Sequence, residues 1–188
     1  ARTDAQLDTV AGIHDGSVEV PGLDLSTDLK WELLTSLVAG GRAGEAEIAA
    51  AEAEAPTATG ALAAAQARAA VPTAEAKAEA WKQVVDGTLS NTTQRQVLLG
   101  FQRVNDPALI AEYAEKYFEG IEGVWNSRSH EMAETAATLG FPSSQVSQQT
   151  CDRATALVDA VKGANAGLAR VVAECRDDMA RALKARQA

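Results

Sequence analysis

The residues best suited to chemistry are His130-Glu131-Met132-Ala133-Glu134. They open like the helical metal motif His-Glu-x-x-His, in which histidines at i and i+4 share one helix face and both reach the ion. Here the second histidine is replaced by Glu134, and the only other histidine is His14, in a distant segment. The pattern therefore predicts a polar helix face and no metal. Nucleophilic catalysis has no better footing. There is no Gly-x-Ser-x-Gly elbow, and two histidines leave few bases. Cys151 and Cys175 fall within helix-like segments and read as reduced core thiols. Gly40-Gly41-Arg42-Ala43-Gly44 is glycine-rich, but it follows a helix and not a strand, so it reads as a turn between helices.

Binding residues are the remaining candidates. Trp125 and Arg128 are three apart, as on one helix face, and Gln102 follows Phe101 near a helix end. Each of the three can face a ligand cavity. Trp31 and Trp81 read first as packing residues.

The elements that must position these residues are helices throughout. Leu29, Leu33 and Leu37 sit four apart, and Leu34 and Val38 repeat the spacing on the adjoining stripe, so 27–39 is a helix with a wide apolar face. Thr27 or Asp28 can cap its start and Gly40-Gly41 can end it. A partner helix follows at 43–55, whose Glu45, Glu47, Glu52 and Glu54 read as a solvated face. Helices over 58–70 and 74–86 are separated by Pro56 to Gly60 and by Val71-Pro72-Thr73. Alanine fills 19 of the 38 positions from 43 to 80, which predicts close-packed helices.

Asn91 to Gln94 reads as a capping box for the next helix, and Asn105-Asp106-Pro107 as the start of another. Ile110, Tyr113, Ala114, Tyr117 and Phe118 make one stripe, interrupted by Gly120 and Gly123. A helix from Trp125 to Leu139 and one over 144–162 come next. The last helix, 166–185, has the cleanest stripe: Leu168, Val171, Val172, Cys175, Met179 and Leu183, with Asp177 and Arg181 spaced to pair. Residues 1–22 read as the tail of a truncated helix and a loop.

The expectation is an all-α chain of nine or ten helices in a HEAT- or armadillo-like superhelical stack, forming a single domain over 1–188. A compact bundle is the alternative. A net charge of −9 disfavours nucleic acid and anionic membrane surfaces. No apolar run reaches the length of a membrane span. The chain opens Ala1-Arg2-Thr3 without methionine, which hints at excision from something longer.

Four stretches are more specific together than any one: Asp28 to Leu34 with Gly41 and Ile48; Pro56 to Gly60 with Ala70 to Lys77 and Trp81; Leu99-Gly100-Phe101-Gln102 with Tyr113 to Phe118 and Trp125; and Phe141-Pro142. In this order the chain resembles the C-terminal helical domain of bacterial aminopeptidase N, most like the actinobacterial form, from about Leu23 to Arg186. The same domain type is similar to the C-terminal part of endoplasmic-reticulum aminopeptidases. The resemblance implies a cytoplasmic zinc metallopeptidase whose zinc ligands lie in a separate upstream catalytic domain. It implies that this chain carries no catalytic residue, no metal and no cofactor. Its partners are then the catalytic domain of the same polypeptide, which it caps, and the peptide substrates it encloses. Gln102, Trp125 and Arg128 become candidate peptide contacts. A standalone helical-repeat adaptor is the alternative.

Overall fold

The computed structural model describes residues 1–54 and 56–187. Among them are ten α-helices, one short 3-10 helix and no strand, so the chain is all-α. In order these are α1 (Asp4–Asp15), α2 (Thr27–Ala39), α3 (Glu45–Glu54), α4 (Ala58–Ala70), α5 (Ala74–Asp86), α6 (Asn91–Phe101), a 3-10 turn (Pro107–Ile110), α7 (Tyr113–Ser127), α8 (His130–Leu139), α9 (Gln148–Val161) and α10 (Ala166–Gln187). They divide between two compact units, the first 1–82 with 96–106 and the second 83–95 with 107–188.

The first unit packs α2 against α1 and α4, and α3 against α4. Its core joins Trp31, Leu34 and Val38 of α2 to Ile48 of α3 and to Ala64, Ala67 and Ala70 of α4. The alanines have no side-chain reach, so each packs only because the facing helix comes close. Of the two expected stripes on α2, that of Leu34 and Val38 is the more buried, and Leu29 and Leu33 are only half-buried. In the second unit α7 packs on α8 and α9, and α10 on α8 and α9. Of the α10 stripe, Leu168, Val171, Val172 and Met179 are buried, and Cys175 and Leu183 are only half-buried.

The helix starts are set by hydroxyl caps. Ser26, one residue before the expected pair, accepts from Leu29 N at 3.2 Å. Thr3 forms a full capping box with Gln6, so α1 has a capped start of its own. Ser90, and not Asn91, accepts from Thr93 N at 3.2 Å. Gly40 stays right-handed, and Gly41 takes the left-handed conformation at φ 70°.

Several boundaries differ from expectation, and the start expected at Pro107 opens only the 3-10 turn, with α7 beginning at Tyr113. Trp125 belongs to α7, which runs through Gly120 and Gly123 without interruption. The chain then breaks at Arg128, which is extended at φ −116°, because Ser129 caps a new helix by accepting from Met132 N. The helix expected at 144–162 starts only at Gln148, behind the Ser147 cap. Ala55, the expected end of the helix paired with α2, lies outside the described residues.

Candidate functional site

Gln102 belongs to the first unit, Trp125 and Arg128 to the second. Gln102 follows the last turn of α6, held there by its own N–H donating to Leu98 O at 3.1 Å. Its half-buried side chain lines a cavity of about 270 Å³ together with Ser36, Arg103 and Asn105. Arg103 is fixed in that lining by Glu32 at 2.5 Å and by Ser36 Oγ at 2.7 Å.

Trp125 is half-buried near the end of α7. A Cβ on Gly167 of α10 would sit 2.9 Å from its ring, so the absence of a side chain there is what seats the indole. It also meets the His130 imidazole edge-on, at 5.8 Å. Arg128 turns back from the α7–α8 break. Its Nη2 donates to Val85 O at 2.5 Å, in the last turn of α5. That carbonyl is one a helix leaves without an internal partner, and a cation suits it.

His130 is an exposed residue, and its Nε2 lies 3.9 Å from Glu134. Glu134 in turn accepts from Arg170 at 2.9 Å. His14 lies on α1, in the first unit. One imidazole beside one ion-paired carboxylate does not fit a zinc site, which needs three or four ligands. Among the described residues no group of three His, Cys, Asp or Glu side chains is placed to hold a metal ion. Both cysteines are free thiols, Cys151 buried and Cys175 half-buried. Burial, with Asp178 and Glu174 nearby, pushes the Cys175 thiol up to about 11, away from nucleophilic use. On α10, Arg181 pairs with Asp178 and not with Asp177, which Arg176 holds at 2.8 Å.

Two features escaped the reading of the sequence. The second unit holds a cavity of about 480 Å³ beside the start of α9, lined by Glu115, Phe118, Gln145, Thr150, Arg153 and Arg186 among others. Arg153 pairs with Glu115 and lies over the Phe118 ring, 5.8 Å from its centre. These groups can hydrogen-bond a polar guest, but they include no thiol or imidazole to react with one. The other is Lys77, a lysine with no exposed surface. It had a readable signal, since it stands on the buried stripe of α5 with Ala80 and Val84, at i, i+3 and i+7.

The described residues thus form an all-helical chain whose polar clusters are ion pairs and braces at helix ends. The comparison with known proteins narrows this: the chain belongs to the ERAP1-like C-terminal domain family, whose profile matches residues 2–181. It is also 45% identical over 189 residues to Aminopeptidase N of Streptomyces lividans. That match takes in the whole of this chain and 22% of the relative, so the chain spans about a fifth of the relative's length. No helix among the described residues is long and apolar enough to cross a membrane.

Proposed function

We propose that this chain is the non-catalytic C-terminal domain of a zinc metallo-aminopeptidase, which caps the catalytic domain of the same polypeptide and encloses the cavity that receives peptide substrates. The carrying observation is the 45% identity to an aminopeptidase N along the whole chain. The donor sets among the described residues do not fit zinc, and in this reading the metal and the hydrolysis belong to an upstream domain. Gln102, Trp125 and Arg128 are assigned to the peptide: an amide and a guanidinium to hydrogen-bond its backbone or carboxylate, and an indole to pack on its side chains. The enzyme is placed in the cytoplasm, a reading that the two free thiols support.

The test begins with the purified chain. It should bind no stoichiometric zinc and turn over no aminoacyl substrate; stoichiometric zinc together with turnover would sink the proposal. In the whole enzyme, Q102A, W125A and R128A should each raise KM for long peptides more than for a single aminoacyl arylamide. The expected rise is about tenfold for each side chain removed, the equivalent of ~1.4 kcal/mol of peptide binding. An antibody against this chain should detect a protein several times its size in source cells. A band at the size of the chain alone would instead favour a standalone adaptor.

A further inference from the structure

Lys77 lies wholly within the first unit, in the first turns of α5. Its Nζ donates to three backbone carbonyls: Ala69 at 2.7 Å, Phe101 at 3.2 Å and Gly100 at 3.3 Å. All three belong to helix ends, Ala69 to the last turn of α4 and the other two to the last turn of α6. The last carbonyls of a helix have no internal partner and carry partial negative charge. An ammonium has three donors, one for each. The Phe101 ring stands 5.8 Å from the same nitrogen.

We infer that Lys77 is a charge-dependent latch: its ammonium ties the ends of α4 and α6 to α5, and loss of the proton releases one of the three carbonyls. A neutral amine keeps two N–H donors for three oxygens, and its new lone pair repels the third. Gly100 O is the one released. It makes the longest of the three contacts, and it already accepts from Arg103 N at 3.0 Å.

The charge is removable within an accessible range. Burial lowers Lys77 from 10.5 to about 8, and no neighbouring charge contributes. The charged groups of the surrounding elements are otherwise engaged or turned away. Arg68 of α4 holds Glu45 and Glu52, and Arg103 holds Glu32. Glu75 and Glu79 of α5 itself are exposed, and α6 is uncharged from Gln96 to Phe101. The latch is therefore set by its own proton and works on the mildly alkaline side of neutrality. This inference goes beyond the aminopeptidase reading and does not depend on it.

The test is a carbon-13 NMR titration of the isotopically labelled 188-residue chain from about pH 6.5 to about pH 10, a range that brackets the expected midpoint. It follows the Lys77 Cε and the carbonyl carbons of Ala69, Gly100 and Phe101. Lys77 should titrate with a midpoint near 8, and the Gly100 carbonyl should move with that midpoint by more than the Ala69 carbonyl does. In K77R, whose guanidinium keeps its proton, the step should vanish. A Lys77 midpoint at the ordinary 10.5 would overturn the latch. So would a shifted titration that leaves all three carbonyls still. Movement of the Ala69 or the Phe101 carbonyl in place of Gly100 would overturn the choice of released carbonyl. The wild-type series decides each of these even if K77R does not fold.

Discussion

Gly100 of α6 has its Cα against the backbone carbonyl of Gln66 on α4. A Cβ added to Gly100 would fall on that oxygen and within 2.9 Å of the Ala69 Cβ. The obstacle on α4 is main chain, which cannot rotate away as a side chain can. G100A should therefore separate the two helices and destabilise the first unit by about 2–3 kcal/mol, the upper range for overpacking. Chemical denaturation of the two proteins measures it. A cost below about 0.5 kcal/mol, the scale of an ordinary surface change, would show that the contact is looser than described.

A second close approach joins Gly87 and Arg128 in the second unit. Gly87 is left-handed at φ 68°, and a Cβ there would fall inside the Arg128 guanidinium. G87A thus meets two separate costs. The backbone cost of a left-handed alanine is about 1–2 kcal/mol and is independent of Arg128. The steric cost depends on Arg128 entirely. A double-mutant cycle should show G87A less harmful in an R128A background than in the wild type, by about 1 kcal/mol or more. Strict additivity would mean that the guanidinium is not held over Gly87.

Tyr117 is buried at 1% exposure and donates to Ala137 O at 2.7 Å. Its ring meets Phe141 edge-on at 5.6 Å. Removing the hydroxyl keeps the ring packing and takes away the donor to a buried carbonyl. Y117F should cost about 1–2 kcal/mol. Burial also raises the phenol well above its ordinary 10.0, with the nearby Cys175 adding to the effect. Tyr117 should therefore stay un-ionised in an ultraviolet titration until the second unit unfolds. Ionisation near the ordinary value in the folded protein would contradict its burial.

Lys77 makes stability depend on pH in a direction that can be stated. Its folded value is about 8 and its unfolded value 10.5, so between them the unfolded chain binds more protons. Stability must then rise with pH across that window, since folding no longer buries a charge. The full gain is about 3 kcal/mol at 1.36 kcal/mol per unit. It exceeds the single hydrogen bond surrendered when the latch opens, worth about 1 kcal/mol. At neutral pH, K77M should be the less stable protein by about 2–4 kcal/mol, because the helix-end carbonyls of Ala69 and Phe101 lose the Lys77 donor and Gly100 O is left with Arg103 N. Denaturant midpoints taken at several pH values should show a rise for wild type that K77M lacks. Parallel curves would remove Lys77 as the cause.

The helical class, the count of helices and most of their cores were legible in the residues, because periodicity and punctuation are local. Pro56 to Gly60 and Val71 to Thr73 separate helices whatever they pack against, and Leu168 to Met179 share a face by spacing alone. Family membership was legible in the same way, through motifs carried in order along the chain. The break at Arg128 was not: Gly120 and Gly123 looked like the interruption, yet the Ser129 cap decided it. Contacts between distant segments were out of reach for a simple reason. Lys77 shares a helix face with Ala80 and Val84, but nothing along the chain says what its ammonium meets until the ends of α4 and α6, 8 and 24 residues away, arrive with their carbonyls. Gly100 reads as a weak point in a helix until Gln66 lies against it. Spacing along the chain tells which face a residue stands on. Only the tertiary structure tells what that face meets, and for Lys77 it is three backbone carbonyls from two other helices.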